Sequence, residues 1–233
     1  MTTSAVYLDA SDSISRTTGP AYNAITIAAW VKPSSTIANF VATYFAFVRT
    51  TGYAYYGAFG AVWYGDDSAL VRLTGGGFSN VDSSQDYEIF REEWLYVAFT
   101  SAGAVTDGFK GYVWTADGTL QKAISATPTG SGTIDSMYLL ATDGGNNDTL
   151  GKVAYGRVWS RVLTQANLEA EMFSPTIVDD TNIYNAFTDD PSTDVSGQSH
   201  PWTVSGLTTD GSDTPPVSTG IPGFTFVWTV PPG

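Results

Sequence analysis

The chain predicts an all-β protein, a two-sheet antiparallel sandwich with one short helix. Three observations carry this: short runs of alternating apolar and polar residues, punctuation of those runs by Gly, Pro, Asn, Asp and Ser clusters, and a single segment with helical spacing. A length of 233 residues suits one large all-β unit, and at 42% hydrophobic and 14% aromatic residues the chain carries enough apolar surface for a core.

The clearest strands are residues 24–32 (Ala-Ile-Thr-Ile-Ala-Ala-Trp-Val-Lys) and 94–100 (Trp-Leu-Tyr-Val-Ala-Phe-Thr). Residues 109–115, 135–141 and 152–159 follow the same pattern. Period-two alternation places Trp30 and Trp94 among the side chains around which two sheets stack. Asp117-Gly118, between Trp114 and Leu120, is a hairpin signal in which glycine supplies the positive φ. Gly75-Gly76-Gly77 and residues 128–132 read as loops. Leu168 and Met172, one turn apart, mark the helix; Thr164 is its N-cap and Pro175 lies just past its end.

Residues 1–206 form the sandwich in this reading, and residues 207–223 are a Pro/Gly/Ser/Thr-rich linker. Residues 224–233 form a C-terminal strand or tail, where Phe224, Phe226 and Trp228 share one face of a period-two run. An isolated strand is unstable, so this one closes its own sandwich or is donated to a neighbouring subunit, which makes those three residues candidates for assembly.

Charge narrows the partners. Ten Lys and Arg stand against 23 Asp and Glu, a formal net charge of −13. Nucleic acid binding draws on basic side chains that displace phosphate counterions, and no basic cluster occurs here. Anionic membranes are repelled for the same reason, and no stretch approaches the roughly 18 apolar residues of a membrane span. Without cysteine there is no disulfide framework and no thiolate chemistry. The first nine residues lack the basic and apolar segments of a secretory signal.

Four segments in order resemble the laminin G-like, pentraxin-like branch of the concanavalin A-like lectin/glucanase superfamily. They are residues 6–14 (Val-Tyr-Leu-Asp-Ala-Ser-Asp-Ser-Ile), residues 25–33 with Trp30, the pair 94–100 and 111–118 ending in Asp-Gly, and residues 151–169. The last is similar to that family's late strand leading into a short capped helix. Residues 183–187 and 194–202 resemble its closing strands around an Asp-x-Ser-Gly turn. The resemblance implies a jelly-roll sandwich, and it leaves function open, because such domains serve as lectins, adhesion modules, glycan-binding appendages and virion proteins.

Polysaccharide hydrolases of the superfamily place carboxylates as Glu-x-Asp-x-x-Glu along one strand, one to protonate the leaving oxygen and one to attack or to activate water. This spacing does not occur. Glu92-Glu93 precedes a strand as solvated turn charge, and Glu169 and Glu171, two apart on a helix, point apart. With His200 as the single histidine in a Gln-Ser-His-Pro loop and no cysteine, neither a catalytic triad nor a His-based metal site can be assembled. No catalytic residue is assigned, and no cofactor is required.

Two other candidate sites follow from residue chemistry. Calcium needs several oxygen ligands, and Asp143, Asn146, Asn147 and Asp148, with glycines between, supply the best such cluster; the ordinary alternative is a polar hairpin turn. Sugars stack their C–H faces on aromatic rings, and residues 53–64 are the densest aromatic run, with Tyr53 and Tyr55 on one face and Tyr56 on the other. Tyr53, Tyr55 and Tyr64 are the candidate glycan contacts, against the alternative that they pack in the core.

The expectation is a non-enzymatic structural or adhesion protein, a decoration, fibre or tail-associated subunit of a phage particle. Its partners are other virion subunits or its own copies, with a cell-surface glycan as ligand; its place is the virion or the extracellular space. A secreted carbohydrate-binding module is the alternative, with a glycoside hydrolase behind both.

Overall fold

The computed structural model describes residues 5–8, 13–22, 24–34, 41–49, 53–63, 69–75, 78–83, 92–103, 105–128, 134–139, 151–205, 208–210 and 213–217. Their strands form two sheets in which every pairing is antiparallel. Sheet A holds β1 (Ala5–Leu8), β3 (Ile25–Pro33), β8 (Leu95–Ser101), β9 (Phe109–Thr115), β10 (Leu120–Ala126), β12 (Gly151–Trp159), β13 (Ile183–Ala186) and β15 (Thr208–Asp210). Sheet B holds β2 (Ser13–Tyr22), β4 (Val41–Arg49), β5 (Tyr53–Trp63), β6 (Ala69–Gly75), β7 (Phe78–Asp82), β11 (Ile134–Leu139) and β14 (Thr203–Ser205). Sheet A runs β10-β9-β8-β3-β12-β1-β15, with β13 beside β12, and sheet B runs β14-β2-β11-β4-β5-β6-β7. The chain crosses repeatedly from one sheet to the other, the habit of a jelly roll.

Alternation decides which side chains meet between the sheets. Ile25, Ile27, Ala29 and Val31 of β3, with Leu95, Val97 and Phe99 of β8, face Phe59, Val71 and Leu73 of sheet B in one apolar cluster. Each large side chain so buried contributes roughly 1.5–3 kcal/mol relative to exposure. Gly111 makes room in this layer: a Cβ there would lie 2.3 Å from the Phe59 ring.

Trp30 and Trp94 correct the sequence expectation. Both are buried, but on the opposite face of sheet A, in a second cluster with Tyr96, Tyr112, Trp114 and Trp159. Sheet A is therefore apolar on both faces. Its outer face is roofed by helix α1 (Gln165–Met172), by the chain leaving that helix, and by residues 213–217. Four indole N–H groups tie sheet to roof. Trp30 donates to Met172 O (2.8 Å), Trp114 to Glu169 Oε1 (3.3 Å), Trp159 to Asp179 O (2.8 Å) and Trp94 to Asp213 Oδ1 (2.9 Å). A tryptophan in this position buries its rings and still satisfies its polar atom.

Helix α1 starts as the sequence predicts. Thr164 Oγ1 accepts from Asn167 N–H and Asn167 Oδ1 accepts from Thr164 N–H, a reciprocal capping box. Leu168 and Met172 are its buried apolar residues. The β9–β10 hairpin turns at Asp117-Gly118, with Gly118 at φ 86° and Asp117 Oδ1 accepting from Thr119 N–H.

Two parts of the stretch read as linker lie on the sandwich. β15 pairs with β1, and Asp213 accepts from Lys32 Nζ (2.7 Å) and Lys152 Nζ (2.8 Å) as well as from Trp94. Val217 is buried in the outer cluster. The remaining tail, including Phe224, Phe226 and Trp228, lies outside the described residues.

Candidate functional site: a pocket beside a buried ion pair

Strand β12 carries a bulge that builds the site. Its register against β3 shifts between Ala154 and Arg157, and Tyr155 sits in the left-handed region at φ 51°. A bulge resets alternation. Val153 and Val158 consequently both face the inter-sheet core, while Ala154, Tyr155 and Trp159 face the roof. The first half of β12 pairs with β1 and the second half with β13. Gly156 is required here, because a Cβ would stand 2.1 Å from the Phe187 ring.

Arg157 rises from this bulge under the roof. Its Nη1 donates to the Glu171 carboxylate and to Glu171 O (3.1 Å), and its Nη2 donates to Ser174 O (2.6 Å). Glu171 also accepts from the backbone N–H groups of Val178 and Asp179, so it fixes the chain leaving α1. It is the one buried carboxylate among the described residues. Tyr96 O–H lies within the field of both charges, has no hydrogen-bond partner among the described residues, and is pushed up in pKa chiefly by burial.

A pocket of about 360 Å³ opens beside this pair. Tyr155, Ile177, Phe187 and Val195 supply apolar walls, and Arg157, Thr176 and Thr188 supply polar ones. The walls are fixed by the backbone: Tyr155 N–H donates to Thr188 O (2.7 Å) and Phe187 N–H to Gly156 O (2.9 Å). The loop carrying Val195 is held by Asp194, whose carboxylate accepts from the N–H groups of Ala186, Ser196 and His200. Burial alone would raise the Asp194 pKa, but these hydrogen bonds outweigh it and hold the carboxyl below its ordinary value.

His200 is part of that scaffold. Its Nδ1 lies 3.0 Å from Tyr184 O, its ring stacks on Tyr184 at 4.1 Å, and its carbonyl accepts from Asn185 Nδ2 (2.6 Å). Glu92 and Glu93 are exposed in a turn, and Glu169 and Glu171 diverge as the helix requires. Among the described residues, no group of three or more His, Asp or Glu is placed to hold a metal.

The sequence-predicted sites lie beyond what the structure describes. Tyr53 and Tyr55 have their backbone in β5, and their side chains are outside the description. Tyr64, Asp143, Asn146, Asn147 and Asp148 lie outside the described residues. The sequence takes Glu171 only with Glu169, as a helical pair pointing apart, and assigns Arg157 no role. The available signals were a lone arginine within the apolar strand 151–159, and the spacing Leu168, Glu171, Met172, which puts a carboxylate on the buried helix face.

A laminin G-type family model, described as the concanavalin A-like lectin/glucanases superfamily, matches residues 3–169. The chain belongs to this superfamily. No curated protein matches the laminin G-like chain. Among solved structures it is similar to the native heptameric SAP-like pentraxin from Limulus polyphemus, at 13% identity and a TM-score of 0.66, covering 93% of this chain and 98% of the pentraxin. It is also similar to a putative carbohydrate binding protein from Bacteroides ovatus ATCC 8483, at 18% identity and a TM-score of 0.59, covering 91% of this chain and 61% of that one. A third likeness is the enzymatically active domain of tailspike protein 2 from bacteriophage CBA120, at 18% identity and a TM-score of 0.57. That match covers 74% of this chain and 27% of the tailspike, so the laminin G-like chain spans about a quarter of that protein. At these identities the likeness is one of fold.

Proposed function

We propose that the laminin G-like chain is a non-enzymatic adhesion module of a virus particle that binds glycan at its surface and joins the particle, or its own copies, through the C-terminal tail. The observation that carries the binding reading is the pocket: rigid aromatic and aliphatic walls stand next to polar groups, the make-up of a sugar site. Glu171, the one buried carboxylate among the described residues, is held by Arg157 and two backbone amides, with burial pushing its pKa up against them. A glycoside hydrolase needs paired carboxylates with separate protonation states. The solved folds that are alike, a pentraxin, a carbohydrate binding protein and a tailspike, are compatible with this role.

A glycan array run with and without calcium tests the reading; calcium dependence would point to the Asp143–Asp148 loop. Binding without release of reducing sugar is the expected result. A blank array under both conditions, or hydrolysis that a carboxylate substitution abolishes, overturns it. For the particle role, removal of residues 218–233 is expected to abolish incorporation or oligomerisation, and unchanged assembly counts against it.

A further inference from the structure

We infer that the pocket beside Arg157 takes the N-acyl group of a neutral acetamido sugar, with the acyl oxygen accepting from the arginine. The inference rests on the glycan reading above and names the class of sugar and its contact.

Arg157 keeps unspent donors. Arginine has five N–H groups. Three are used, on the Glu171 carboxylate, Glu171 O and Ser174 O. The Nε–H and the second Nη2–H have no partner among the described residues, although the residue is only 4% exposed and lines the pocket. Donors that face a pocket are open to an oxygen atom brought into it, and a charged donor makes the stronger hydrogen bond.

Charge selects a neutral ligand. Glu171 already neutralises Arg157, and both lie within a chain of net charge −13. A ligand carboxylate would place a second anion beside Glu171 in a medium of low dielectric, where like charges repel strongly. The acceptor that fits is uncharged, and an amide carbonyl is the strongest neutral acceptor a sugar carries.

The apolar wall suits an acyl methyl. Tyr155, Ile177, Phe187 and Val195 offer no donor or acceptor to match a hydroxyl at their aliphatic and ring faces, but they suit a methyl group and a C–H face. Val195 is 51% exposed, and Val178, which follows Ile177, is 56% exposed. Val195 thus brings an exposed apolar side chain to the pocket lining. Thr188 Oγ1 donates to Asp189 Oδ1 (2.9 Å), which leaves its lone pairs to accept from a sugar hydroxyl.

Saturation-transfer NMR and calorimetry with N-acetylglucosamine, glucose and glucuronic acid test the assignment. The expected result is millimolar binding of N-acetylglucosamine with the acetyl methyl most strongly saturated, at least tenfold weaker binding of glucose, and none of glucuronic acid. Val195→Trp, which fills the pocket from its exposed side, is expected to abolish binding at an unchanged melting temperature. Should that variant not fold, amide shift changes in the wild type decide: changes centred on Tyr155, Ile177, Phe187 and Val195 support the inference, and changes elsewhere overturn it. Equal binding of glucose, or undiminished binding by a folded Val195→Trp, also overturns it. An array positive only for sugars without acetamido groups sinks this inference and leaves the glycan reading standing, whereas a blank array removes both.

Discussion

Arg157 on β12 and Glu171 on α1 form a buried ion pair, with side-chain exposures of 4% and 0%. Removing one member leaves the other charged and unpaired, which costs about 3–5 kcal/mol. Glu171→Ala is therefore expected to lower stability by that amount in urea unfolding. The double substitution Arg157→Met/Glu171→Leu is expected to cost clearly less than the sum of the single changes. Additive losses would show that the two side chains act independently.

Tyr96→Phe predicts the reverse sign. The phenol oxygen is buried without a partner among the described residues, so deleting it removes an unmet polar group. Stability is expected to be unchanged or to rise by up to about 1 kcal/mol. A loss of more than about 1 kcal/mol in the same unfolding assay would reveal a bridging water that the hydroxyl needs.

Asp213 makes stability depend on acid. Burial would raise its pKa, but the hydrogen bonds from Lys152, Lys32 and Trp94 prevail and lower it from 3.8 to about 2. A carboxyl lowered on folding stabilises the protein above its unfolded pKa, and that contribution falls away as pH drops through the folded one. The clamp is thus complete above about pH 4 and lost toward pH 2. Asp213→Asn should melt earlier than wild type at pH 7, with the gap closing between pH 4 and pH 2. A gap that stays constant over this range would remove the clamp from the account.

Gly156→Ala drives a methyl into the Phe187 ring and is expected to cost about 1–3 kcal/mol, the usual range for overpacking. Phe187→Leu in the same chain should recover part of the loss, as read by thermal unfolding. Absence of recovery would assign the cost to the bulge backbone instead.

Much of the architecture was legible because it is written locally. Thr164, Leu168 and Met172 declare a capped helix within nine residues, Asp117-Gly118 declares its hairpin, and β3, β8, β9 and β12 announce themselves by alternation. Alternation, however, says that two faces differ and not which face meets which layer. That is why Trp30 was expected between the sheets and is found beneath α1. The bulge at Tyr155 is silent in the pattern, although it decides that Val153 and Trp159 face opposite ways.

The candidate site was less legible for a different reason. Its walls come from residues 155–157, 175–177, 186–188 and 195, four stretches that only the packing of β12, β13 and the roof brings together. Arg157 and Glu171 stand on different elements, so no spacing rule relates them. The aromatic run 53–64 is legible because its residues are adjacent, which a pocket built from four separate stretches is not.

The double-lysine clamp on Asp213 has a mechanical consequence. Reading back from the C-terminal side, a pull transmitted through Val217 reaches Asp213 before it reaches β15, a three-residue strand held by β1. Tension would have to rupture two ionic contacts and an indole hydrogen bond before it could unzip that short edge. The clamp acts as a strain relief for the end of the chain, and because ionic contacts weaken in brine, the force it withstands should decline as salt is added.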